Sequence, residues 1–183
     1  MEGAARSESD TVASYSFGVA LLSYLAANAL QEMKQEIALN TNKVLKMAIF
    51  HDLGESATGE IATGVKNWLP PNVLTNVERK LLEALVEDVS GSKEFLSLAR
   101  EYDKGKTEEA IVVKFADILE AFAHAKDRLG KTFPGYMERK AKSFEEKAAG
   151  GSKVAAIIAR WLKQLQTEEW VPPKRPWAKQ AGR

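Results

Sequence analysis

The sequence predicts an all-α protein of about six to eight helices. Three observations carry this. Apolar residues recur at three- and four-residue spacing along most of the chain. No segment alternates apolar and polar residues as a half-buried strand does, and Ala110–Val113, the nearest approach, sits inside a helical pattern. Glycine, proline and capping residues punctuate the pattern at helix-length intervals.

Taken in order, residues from about Asp10 to Lys34 read as one long helix. Val12, Phe17, Val19, Ala20, Leu22 and Leu25 supply its apolar face, and Asp10 or Thr11 its cap. Asn40-Thr41-Asn42 interrupts the pattern and starts a second helix, Lys43 to about Leu53. Val44, Leu45, Met47, Ala48 and Ile49 leave this helix little polar face, so it is expected to be buried. From Gly54 to Pro71 the chain carries Gly54, Gly59, Gly64 and Pro70-Pro71, which predicts a loop able to approach a ligand closely. A helix from about Asn72 to Val89 stops before Gly91, and Ser92 caps a shorter one to about Tyr102. Thr107 caps a long helix ending at Leu129, with Gly130 as the stop. Pro134 opens another that runs to Gly150-Gly151. Ser152 caps the last, where Val154, Ile157, Ile158, Trp161 and Leu165 form a stripe. One domain is expected over residues 1–168, followed by a Pro-rich basic tail, 169–183.

Composition narrows the function. With 183 residues, 45% of them hydrophobic and 28% charged, the chain can bury a core. Its 26 basic and 25 acidic residues leave a net charge of +1, which argues against electrostatic binding of nucleic acid or of a membrane. No transmembrane helix or signal peptide is expected, and the expected compartment is the cytoplasm. Cysteine is absent, which removes disulfides, thiolate metal sites and Cys nucleophiles. With two histidines, His51 and His124, any metal site must draw mainly on carboxylates.

The chemistry concentrates in two segments. His51-Asp52 ends an otherwise apolar helix, where two polar groups need partners. A cation would serve both, although a histidine at a helix C-terminus also gains from the helix dipole alone. Glu55 follows His51 by four residues, on roughly the same helical face. Downstream, Asp117 interrupts the apolar stripe of Lys114-Phe115-Ala116-Asp117-Ile118-Leu119. Pairing with Lys114 on a helix surface would equally explain it. His124 lies seven residues beyond Asp117, about 10 Å along a helix axis, too far to join the same ion.

The run His51-Asp52-Leu53-Gly54-Glu55, then Thr58-Gly59-Glu60-Ile61, then Lys114-Phe115-Ala116-Asp117 resembles the HD-domain superfamily of metal-dependent phosphohydrolases. It resembles in particular the branch of small YfbR-like 5'-deoxynucleotidases and their eukaryotic relatives, and the likeness covers roughly Arg6 to Leu129. The resemblance implies an HD helical bundle with His51, Asp52 and Asp117 as ligands of a divalent cation (Mn, Co, Mg, Zn or Ni). It gives Glu55 the attacking water and places Glu60 near the substrate sugar and leaving oxygen. Arg6 falls to the substrate phosphate, and Lys66 and Lys114 to charge balance. It also implies a homodimer and hydrolysis of a nucleoside 5'-monophosphate to nucleoside and phosphate. The family's first His ligand falls on Tyr15, a phenol with an ordinary pKa of about 10. An alternative follows from that exchange: an impaired relative that binds a nucleotide or a protein partner without turnover.

Overall fold

The computed structural model describes residues 11–33, 36–59, 61, 65, 68–70, 72–129 and 135–167. Arg6, Glu60, Lys66 and the tail 169–183 lie outside the described residues. Among the described residues there are eight helices and no strand. They are α1 (Val12–Met33), α2 (Thr41–Phe50), α3 (Glu55–Thr58), α4 (Val73–Leu85), α5 (Ser92–Lys104), α6 (Glu108–Leu129), α7 (Tyr136–Ala149) and α8 (Lys153–Thr167).

Side-chain oxygens set the helix starts. The Thr11 hydroxyl accepts from the Ser14 amide at 3.1 Å, the Asn40 side chain from Lys43 at 3.0 Å, and Ser152 from Ala155 at 2.9 Å. Each satisfies a backbone donor that the first helical turn leaves unpaired. The Thr107 hydroxyl accepts from the Ala110 amide at 3.3 Å and donates to Glu101, joining the start of α6 to α5. Gly105, at φ 56°, closes α5 in the left-handed conformation that glycine adopts without strain.

The chain divides into two compact units at residues 132 and 133. In the first, α1 packs on α2 and α6, and α2 also packs on α5 and α6. α1 contributes Val19, Ala27 and Leu30 to the core, and α2 contributes Val44, Met47 and Ala48. From α6 come Ala110, Ile111, Val112, Val113, Phe115 and Ala116, all buried. The strand-like run Ala110–Val113 is thus helical, and its β-branched residues are explained by burial on several sides. A second cluster gathers Leu82, Val86 and Phe95, with Phe50 meeting Phe95 edge-on at 4.5 Å. In the second unit, α7 and α8 form a hairpin around Met137, Ala141, Phe144, Val154, Ile157, Ile158 and Leu162.

α1 departs from expectation. By length and apolar content it could cross a bilayer. Its buried face nevertheless packs on α2 and α6, and Ser16 and Ser23 lie on it, as in the core helix of a folded unit. Small residues on that face let α6 approach. A Cβ at Gly18 would sit 2.5 Å from a Glu120 carboxylate oxygen, so only glycine leaves that carboxylate its place. Phe17 and Leu25, expected in the core, are exposed at 72% and 54%. The loop expected from Gly54 is shorter, because Glu55–Thr58 forms a helical turn.

Candidate metal centre

α2 ends at Phe50, so His51 and Asp52 leave its last turn together. The His51 side chain is fully buried. Its Nδ1 lies 2.8 Å from the Ala48 carbonyl, which can only accept. That contact places the ring proton on Nδ1 and leaves a lone pair on Nε2, the arrangement that readies histidine for a metal. Nε2 stands 3.0 Å from Asp52 Oδ2 and 3.9 Å from Asp117 Oδ1. Neither contact is an aligned hydrogen bond. A cation between the imidazole and the two carboxylates would satisfy all three groups.

Asp117 arrives from the middle of α6. One ligand atom from each of His51, Asp52 and Asp117 lies within 4.8 Å of the other two, close enough to share one ion. The donor set, one imidazole and two carboxylates, suits a divalent cation.

Two tyrosines enclose Asp117. The Tyr15 hydroxyl, from α1, donates to Oδ1 at 2.6 Å and lies 3.0 Å from the Asp117 carbonyl. The Tyr102 hydroxyl, from α5, donates to Oδ2 at 3.2 Å. Their rings flank His51, with centroids at 6.1 Å and 5.4 Å. Burial, and then the neighbouring Asp117 charge, push both phenols far above their ordinary range, so both keep their protons. Tyr15 therefore acts here as a neutral donor to a ligand. Burial also disfavours the charged form of His51, but the Asp52 and Asp117 carboxylates outweigh it and raise its pKa above the ordinary value.

Beside this cluster opens a pocket of about 400 Å³. His51, Asp52, Glu55 and Asp117 are among the residues that line it, so the structure brings these four sequence candidates together. Leu74 and Leu96 give it apolar walls, with Arg79 and Arg100 among its charged groups. Lys114 is not in the lining. Its ammonium sits over the Tyr102 ring at 4.0 Å. Tyr102, Arg79 and Arg100 escaped sequence reasoning. Each looks like one more residue of an amphipathic helix, and no local spacing ties them to the His51-Asp52 pair.

A family model described as HD domain matches residues 2–157. A 5'-deoxynucleotidase of Dictyostelium discoideum is 36% identical over 111 residues, covering 55% of this chain and 52% of the relative. A 5'-deoxynucleotidase of Pectobacterium atrosepticum is 27% identical over 163 residues, covering 86% of this chain and 71% of the relative. This chain thus spans about half the length of the Dictyostelium relative. A conserved hypothetical protein from Pyrococcus furiosus superposes with a TM-score of 0.62 at 25% identity, covering 86% of each chain. A protein of Pyrococcus horikoshii shares the fold with a TM-score of 0.63 at 24% identity, over 88% of this chain and 86% of that one.

Proposed function

The chain belongs to the HD-domain family, and from that premise we propose that it is a metal-dependent phosphohydrolase that cleaves (deoxy)nucleoside 5'-monophosphates to nucleoside and phosphate. The observation that carries the reading is the buried Nε2 of His51, set between the Asp52 and Asp117 carboxylates without an aligned hydrogen bond. The substrate class follows from the two relatives, both named 5'-deoxynucleotidases. The pocket offers the nucleoside apolar walls at Leu74 and Leu96.

His51, Asp52 and Asp117 would hold the cation. When bound, it would polarise the phosphoryl group and lower the pKa of a water. Glu55, in the pocket wall beside the ligands, takes the proton of the attacking water. Glu60 serves the leaving oxygen, Arg6 and Lys66 the phosphate, and Lys114 adds positive charge behind Tyr102. Leu74, Leu82 and Leu96 line the pocket beside these groups.

A binding-only protein rested on Tyr15 alone. Three donor groups remain in place without a histidine there, so that reading is set aside. We further propose that the protein acts in the cytoplasm as a homodimer.

The test is a phosphate-release screen of purified protein. The panel is the nucleoside and deoxynucleoside monophosphates, with Mn²⁺, Co²⁺, Mg²⁺, Zn²⁺ or Ni²⁺. Metal-dependent release, abolished by chelation and by His51→Ala, is the expected result. No release from any monophosphate with any of these cations would overturn the proposal.

A further inference from the structure

The contacts around Asp117 go beyond a missing ligand. Each carboxylate oxygen accepts a hydrogen bond from a different helix: Oδ1 from Tyr15 on α1 at 2.6 Å, Oδ2 from Tyr102 on α5 at 3.2 Å. Asp117 itself stands on α6, so three elements meet at one carboxylate. The 2.6 Å contact lies in the range of charge-assisted O–H···O⁻ bonds. A carboxylate oxygen carries about two lone-pair sites, and each phenol takes one. Oδ1 is the oxygen that faces His51 Nε2, at 3.9 Å, and a lone pair is left there for a cation.

We infer that Tyr15 and Tyr102 form a two-phenol clamp that aims Asp117 Oδ1 at the His51-Asp52 pair. Tyr15 is thus a positioning residue, doing from outside the ion's contact sphere what a ligand there would do from inside. The inference rests on the reading of His51, Asp52 and Asp117 as a metal centre. Its consequence is a preference among cations. One nitrogen and few carboxylate oxygens leave much of the ion's surface to water and phosphate oxygens. Mg²⁺ and Mn²⁺, hard ions that retain water, fit that better than ions that favour nitrogen.

Hydrogen-bond partners of metal ligands commonly control affinity by about 10–100-fold. Mn²⁺ binding is therefore measured by calorimetry on the parent, Tyr15→Phe and Tyr102→Phe, which keep the rings and remove only the hydroxyls. Tyr24→Phe, a half-exposed position on α1, is the control for a general effect on that helix. The clamp predicts that Tyr15→Phe and Tyr102→Phe each weaken Mn²⁺ binding by about 10–100-fold, with Tyr24→Phe unchanged. Binding by Tyr15→Phe as tight as the parent, or tighter, overturns it, because the phenol would then be a competitor of the ion. A parent that binds none of Mn²⁺, Co²⁺, Mg²⁺, Zn²⁺ and Ni²⁺ overturns the metal-centre reading instead. The clamp is then judged on a metal-free crystal structure of Tyr15→Phe. It predicts that the Asp117 carboxylate turns away from His51, and an unmoved carboxylate refutes it.

Discussion

At the scale of single residues, His51 is a buried imidazole with one nitrogen committed to Ala48 and the other turned toward two carboxylates. A proton and a cation compete for that second nitrogen. Because the carboxylates raise the His51 pKa above 6.5, the competition reaches to higher pH than for an ordinary histidine. Apparent metal affinity should fall as pH is lowered, with the decline starting on the alkaline side of 6.5; affinity constant between pH 8 and 6 would contradict this. Glu55→Ala should lower turnover by about 10²-fold or more with metal binding retained, the usual scale for a lost general base. Turnover equal to the parent would remove Glu55 from the chemistry. Tyr15→His should raise metal occupancy, read by elemental analysis, and phosphatase activity with it. An imidazole there adds a ligand where the phenol only supports one. His51, Asp52, Glu55 and Asp117 were legible because short motifs fix their chemistry. Tyr102 was not, since its meaning comes from a contact with Asp117, 15 residues away on a different helix.

Among the elements, α2 does the positioning, because it delivers His51 and Asp52 at its end. It is anchored at its start by the Asn40 cap and by Lys43, which pairs with Glu101 at 2.5 Å and with Glu109 at 3.6 Å. Asn40→Ala should cost about 1 kcal/mol of stability by chemical denaturation. Burial alone would raise the Glu101 pKa, but hydrogen bonds from Lys43 and Thr107 outweigh it and hold the carboxyl below its ordinary range. A depressed folded-state pKa means stability that is present above the unfolded value and is lost as pH falls through the folded value. Lys43→Met should therefore flatten the loss of stability between about pH 5 and 3. An acid-unfolding curve of unchanged steepness would count against the network. Helix order was readable from caps and periodicity, and Thr11, Asn40, Thr107 and Ser152 stand where the described helices start. The turn Glu55–Thr58 was not, because four residues are too few to show a period. Nor was the outward face of α1, since Phe17 and Leu25 are as apolar as the residues that the helix buries.

For the whole molecule, the resemblance implies a homodimer. The long helices α6 and α8 bury Ile111, Val112, Phe115, Ile157 and Leu162. An exposed apolar stripe runs along α1, where Phe17, Leu21, Tyr24 and Leu25 follow one another at helical spacing. If the proposed homodimer uses it, Leu21→Lys with Leu25→Lys should yield monomers by sedimentation at micromolar concentration, and a dimer that persists would place the interface elsewhere. Cation binding should also register in global stability. With free metal at a hundredfold excess over its Kd, chelation removes about 2.7 kcal/mol. For a chain of this size that is roughly 5–10 °C in Tm. The central claim, that His51, Asp52 and Asp117 share one ion, is tested most directly by anomalous diffraction from crystals soaked in Mn²⁺. The account predicts a single strong peak in the first unit, about 2.0–2.3 Å from His51 Nε2 and from one oxygen of each aspartate. A peak elsewhere, or none at saturating Mn²⁺, would contradict it.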